Sequence, residues 1–164
     1  MFGNSTGSFD GSHNCKTRHL GVKLFSAMTV SFALALPAMA DEATVYEFDG
    51  SFDDATFDLE SAIIDRGLVI DHVSHTGEML ARTGADVGSD VVLFDGADVF
   101  LFCSAVISRK VMEADPMNIA HCPYTMFVID REGLVQIGYR NMPDGPMQEV
   151  QSLLDDIARE AAGQ

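Results

Sequence analysis

After residue 40, five side chains can bind a soft ligand or form a covalent link: His72, His75, Cys103, His121 and Cys122, with Met79, Met117 and Met126 close to them along the chain. Thiolates and imidazoles are the ligands that select soft metal ions and haem iron. Two thiols can instead close a disulfide, or one of them can act as a nucleophile if its pKa is lowered. Spacing narrows the set. Residues three apart on a strand point to opposite faces, so His72 and His75 serve one centre only if the strand ends between them. His75, predicted at a strand end, is the better placed of the two. His121 and Cys122 are adjacent and would diverge in regular structure, although Pro123 makes that stretch irregular. The candidate metal or cofactor site is therefore His75, Cys103 and Cys122, and the expected occupant is a soft metal ion or a non-covalent haem. The competing reading of the same cysteines is a structural disulfide, Cys103 to Cys122. The bridge would close a loop long enough for chain entropy alone to contribute about 3 kcal/mol. A third reading leaves both as buried thiols without a role.

Motifs argue mainly by absence. The sequence has no Cys-x-x-Cys pair for disulfide exchange, no Cys-x-x-Cys-His for covalent haem, no nucleophile elbow, no phosphate loop and no helical zinc pair. Catalytic residues are accordingly assigned to none. A thiol-dependent enzyme acting on sulfur compounds or disulfides stays as an alternative that needs one accessible cysteine. The methionines after residue 40 read as core filler or interface rather than a metal box.

The compartment decides how the cysteines are weighed. Residues 24–40, LFSAMTVSFALALPAMA, follow Lys16, Arg18, His19 and Lys23 and end in Ala38, Met39 and Ala40. A basic segment, an apolar run, a helix-breaking Pro37 and small residues at the cleavage positions have the order of a secretory signal peptide. Residues 1–40 are read as that signal, with an atypical Gly, Ser and Asn-rich preface over 1–15, and residues 41–164 as a single α+β domain. The expected location is periplasmic. The alternative is a domain tethered by an uncleaved N-terminal helix, against which the run is short and interrupted for a membrane span of about 20 residues.

Charge bounds the partners. The chain has 10 Lys and Arg against 25 Asp and Glu, a formal net charge of −15. Removing residues 1–40 takes away Lys16, Arg18 and Lys23 but only Asp10, leaving −17. Such a surface repels polyanions, so no nucleic acid and no anionic membrane binding is expected, while a cationic protein partner fits.

The elements that must position these side chains follow from pattern. Residues 45–52 read as a strand, and Ser51 with Asp54 three residues later marks a helix start that should run to Arg66, with Gly67 ending it. Residues 68–75 form a second strand and Thr76 caps a short helix to about Arg82. Residues 91–94 read as a short strand, and 99–106 as the most apolar one. Ser108 caps a helix to Ala114, and Asp115-Pro116 starts a further turn that ends near His121. Residues 124–130 and 134–140 make a hairpin around Arg131-Glu132-Gly133. From Met147 the residues Val150, Leu153, Leu154, Ile157 and Ala161 line one face of a terminal helix. A tight hairpin and short helices predict an α+β two-layer sandwich, its sheet mainly antiparallel with helices packed on one face.

The segments SFDDATFDLESAIIDRGLVIDHVSHTGEML, FCSAVISRKVMEADPMNIAHCPYTMFVID and VQIGYRNMP resemble the bacterial family called domain of unknown function 302, over nearly all of residues 45–164. That resemblance implies a small α+β fold likened to the TATA-binding-protein repeat, often dimeric, with no established activity. Taken together, the expectation is a periplasmic binding or accessory protein. The alternatives are the thiol enzyme and a structural dimer module with a Cys103 to Cys122 disulfide.

Overall fold

A computed structural model describes residues 42–164; the signal-peptide reading of residues 1–40 lies outside the described residues. Ten elements follow in chain order. They are β1 (Ala43–Glu47), α1 (Phe52–Asp65), β2 (Val69–Ser74), α2 (Thr76–Val87), β3 (Gly96–Cys103), α3 (Ala105–Ala114), a 3-10 helix (Pro116–His121), β4 (Tyr124–Arg131), β5 (Leu134–Arg140) and α4 (Gln148–Ala161). The five strands form one sheet in the order β1-β5-β4-β3-β2, and every neighbouring pair is antiparallel. This is the predicted α+β sandwich.

Local chemistry accounts for the element ends. Ser51 starts α1 with a capping box: its Oγ accepts from the Asp54 N–H at 3.1 Å, and the Asp54 carboxylate accepts from the Ser51 backbone N–H. Several predicted boundaries move, and the first strand spans Ala43–Glu47 rather than 45–52. The apolar strand spans β3 rather than 99–106, because Ser104, not Ser108, accepts from the Ile107 N–H and opens α3. Ser108 instead faces inward from α3, its hydroxyl 2.7 Å from that of Tyr124. The helix after β2 continues past Arg82 to Val87, since Gly84 is tolerated inside it and Gly88, at φ 73°, supplies the left-handed residue that ends it. His75, not Thr76, holds its N-cap position, without a side-chain capping bond. Residues 91–94 form no strand, and Val91, Val92 and Leu93 stand in solvent.

Period-two alternation assigns the faces of the sheet. Phe100 and Phe102 of β3, Tyr124, Met126 and Val128 of β4, and Val135, Ile137 and Tyr139 of β5 share one face, and all are buried. Against them pack Leu59 and Ile63 of α1, Val111 of α3, and Val150, Leu154 and Ile157 of α4. Each fully buried aliphatic side chain there contributes about 1.5–3 kcal/mol. Among the described residues, α1, α3 and α4 leave the other face without such a layer. One register row crosses it as Val45, Gly138, Phe127, Val99 and Ser74, and the flanking rows carry Leu101 and Ile129. Val45 is exposed and Phe127, Val99, Leu101 and Ile129 are only half-buried. Gly138 sits under Phe127: a Cβ at that position would come within 2.5 Å of the phenyl ring. α2 packs on β3 at this face, closely at Ala97, where a Cβ on Gly77 would meet the Ala97 nitrogen at 2.7 Å.

Candidate functional site

Of the three residues proposed as one ligand set, two meet. Cys103, the last residue of β3, and Cys122, between the 3-10 helix and β4, form a disulfide with Cα atoms 6.5 Å apart. Both are half-buried. The bridge ties the end of β3 to the start of β4 across the excursion made by α3 and the 3-10 helix. With both sulfurs bonded to each other, neither is a thiolate available to a metal or a substrate.

His75 is elsewhere, which corrects its place in the set. Register pairs Val69 with Cys103 and Ser74 with Val99, so His75 lies beside Asp98. Five residues of β3 then separate it from Cys103, roughly 17 Å at about 3.3 Å per residue. Its Nδ1 is 2.9 Å from Asp98 Oδ1. That bond, together with the Asp98 charge, holds the imidazole pKa above its ordinary 6.5. The histidine that shares the face of Cys103 is His72, opposite Leu101 and one pleat along from the Val69–Cys103 pair. A register irregularity between Ile70 and His72 shifts this strand, and sequence alone does not show it. His121 precedes Cys122 at the end of the 3-10 helix. Among the described residues, no three His, Cys, Asp or Glu side chains are grouped so as to hold a metal ion.

A polar cluster that the sequence reading did not single out lies at the β1–β5 edge. Asp155 of α4 accepts through one oxygen from the Tyr46 hydroxyl at 2.5 Å and the Tyr139 hydroxyl at 2.8 Å. Its other oxygen accepts from Arg159 Nε at 2.9 Å. The Arg159 guanidinium also stands over the Tyr46 ring, 5.0 Å from its centroid. Burial works to raise the Asp155 pKa, but hydrogen bonds from Tyr46, Arg159 and Tyr139 outweigh it and hold the carboxyl below its usual 3.8. Burial is the chief reason that the Tyr139 phenol is pushed up to about 12, with Thr44 opposing and Asp155 adding to the rise. Both phenols therefore stay protonated as donors at neutral pH. The cluster pins α4 to the sheet. Its one sequence signal is the Asp155 to Arg159 spacing, an i, i+4 pair on a helix.

Comparison with known proteins agrees with this architecture. The family model described as "Domain of unknown function DUF302" matches residues 44–163. No curated protein matches the sequence. A similar solved structure is the crystal structure of an uncharacterized conserved protein DUF302 from Bacillus stearothermophilus, with TM-score 0.56 and 15% identity, covering 76% of this chain and 95% of that one. At that identity the likeness is one of fold.

Proposed function

We propose, for a chain that belongs to the DUF302 family and so shares a fold to which its family description attaches no reaction, that it is an exported binding or accessory module working as a homodimer. The observation that carries this reading is the bare sheet face. α1, α3 and α4 all pack on the opposite side, while Val45 is exposed and Phe127, Val99 and Ile129 are only half-buried. An apolar patch on an otherwise strongly acidic protein marks an association surface.

Charge selects a second copy as the partner. Glu47 and Arg140 point to this same face from opposite ends of the β1–β5 pair, with the Val45 row midway between them. A two-fold axis along that row would set Glu47 of each copy over Arg140 of the other. The contact would then be isologous and self-complementary, as a closed dimer requires. Two sheets packed this way sit about 10 Å apart with their side chains interdigitated. The disulfide makes the module robust in an oxidising compartment, which is where the proposed signal peptide would deliver it. It also favours the structural reading of Cys103 and Cys122 over the metal, haem and thiol-enzyme readings, all of which need a free sulfur.

Sedimentation equilibrium tests this directly. The chain cleaved after Ala40 should be dimeric, and Phe127→Glu should make it monomeric with unchanged far-ultraviolet circular dichroism. Glu47→Arg should weaken the dimer and the double variant with Arg140→Glu should restore it. A monomeric parent protein at every soluble concentration would refute the reading.

A further inference from the structure

A second surface lies beyond the Ala97–Ile129 corner of the bare sheet face. α2 contributes no buried residue to the core. Its inner side, Gly77, Leu80, Ala81 and Gly84, faces the returning segment 89–94 across a cleft of about 260 Å³. A neighbouring cleft of about 320 Å³ shares Val92, Leu93 and Phe94 as its wall and is completed by Asp95, Arg131 and Glu132. On the ridge between them Val91, Val92 and Leu93 are 69%, 78% and 52% exposed. Three consecutive large apolar side chains in water are unlike a solvated loop, whose residues are ordinarily small or polar. Each cleft is smaller than, or at the lower limit of, the roughly 300–1,000 Å³ of a small-molecule pocket. Such clefts hold side chains of a partner segment rather than a whole ligand.

Charge identifies the partner. The lining carries Asp90, Asp95 and Glu132 against a single cation, Arg131. Among the described residues none of these four makes an ion pair. Asp95 Oδ2 accepts the Glu132 backbone N–H at 2.8 Å, which fixes the acidic wall of the second cleft beside the apolar ridge. Apolar slots edged by unpaired carboxylates complement a helix or extended segment with apolar anchors and Lys or Arg beside them. An anionic lipid surface is repelled by the same carboxylates. A second copy of this chain would bring its own acidic surface against them.

We propose that the two clefts around the ridge of residues 91–93 form a docking site for a cationic amphipathic segment of a partner protein. The segment seats apolar side chains beside Leu80 and Val92 and sets its cations against Asp90, Asp95 and Glu132. This site is separate from the proposed dimer face and does not depend on it.

The test uses the disulfide-bonded chain cleaved after Ala40 and two fluorescent peptides with the same Leu and Ala positions, one with Lys and one with Glu on the polar face. Anisotropy should show binding of the Lys peptide, weakening with salt, and none of the Glu peptide. Val92→Ser with Leu80→Ser should lower the affinity about tenfold or more, and Glu132→Gln with Asp90→Asn should lower it less while flattening the salt dependence. Phe127→Glu should leave it unchanged, which separates this site from the dimer face. Equal binding of both peptides, no binding of the Lys peptide, or binding indifferent to Val92→Ser with Leu80→Ser would overturn the proposal. So would dissociation of the dimer by Val92→Ser with Leu80→Ser, which would give the ridge to a second copy, or binding of anionic vesicles through Val92, which would give it to a membrane.

Discussion

The two edges of the sheet are finished in opposite ways. At the β1–β5 edge α4 lies on the core face with Val150, Leu154, Ile157 and Ala158 fully buried, and the Tyr46, Tyr139 and Arg159 donors all converge on Asp155. Near the β2–β3 edge α2 buries nothing, meets β3 at the Ala97 corner, and is followed by three exposed apolar residues. Both helices are amphipathic in sequence. The difference is that one apolar stripe found the core, while the other faces a cleft. Amphipathicity thus locates a face that wants cover, and only packing tells whether the cover is the protein itself.

The largest expected effect contrasts the same truncation in the two helices. Leu154→Ala empties a fully buried site and should cost about 2–5 kcal/mol of unfolding free energy in urea melts. Leu80→Ala removes a side chain that is only partly covered and should cost less than about 1 kcal/mol. Equal losses would mean that α2 is part of the core and would end the contrast. The disulfide comes next. Cys103→Ser with Cys122→Ser frees a loop spanning a sequence separation of 19, for a loss of about 3 kcal/mol. The bridge joins β3 to β4 at the end away from His75 and α2, so amide protection in α2 relative to the global value should not fall with it.

Asp155→Asn probes the polar side of the well-packed edge. It keeps the shape but removes the charge that three donors share. Hydrogen bonds to a charged group contribute about 1.5–3 kcal/mol, and part of that is recovered by the amide oxygen and by solvent. A loss of about 1–2 kcal/mol is expected at neutral pH, read from the shift in urea midpoint at constant slope. Because the Asp155 pKa is lowered on folding, its contribution is present above about pH 4 and fades as pH falls through the folded value. Parent and variant should therefore converge in acid. A difference that persists at low pH would assign the effect to packing instead.

How much of this was legible in the sequence differs between the edges for the same reason. The stripe of α4, the Ser51 to Asp54 capping box and the β4–β5 hairpin are local patterns, and each was placed within about a turn. The pairing of Cys103 with Cys122 could be stated only as one of three readings, because whether two thiols meet depends on where α3 and the 3-10 helix return the chain. Where His72 and His75 stand relative to Cys103 depends on register. A one-residue irregularity in β2 puts His72 on the face of Cys103, and no local pattern records a bulge. Tyr46, Tyr139 and Asp155 were invisible as a cluster because they come from β1, β5 and α4, brought together by the 1-5 pairing of the strands. The short strand expected over 91–94 has no neighbouring strand to pair with among the described residues.

The smallest effect separates the two edges by pH. His75 stands at the N-terminus of α2, where a positive charge opposes the helix dipole, so its raised pKa depends on the hydrogen bond and charge of Asp98, with Glu78 adding a little. A histidine whose pKa rises on folding contributes stability that is complete below about pH 6.5 and is lost as pH climbs through the folded value. The ring is largely exposed, so the loss should be felt locally rather than globally. In an NMR titration His75 should therefore titrate above 6.5, and Asp98→Asn should return it to about that value. Over the same interval, hydrogen-exchange protection at the start of α2, corrected for intrinsic rates, should decline. Protection in α4 should hold steady, since the Asp155 carboxylate stays ionised and its two phenol donors stay protonated throughout. If α2 and α4 lost protection together, the His75 to Asp98 contact would be part of one cooperative unit, and the two edges would differ in exposure but not in stability.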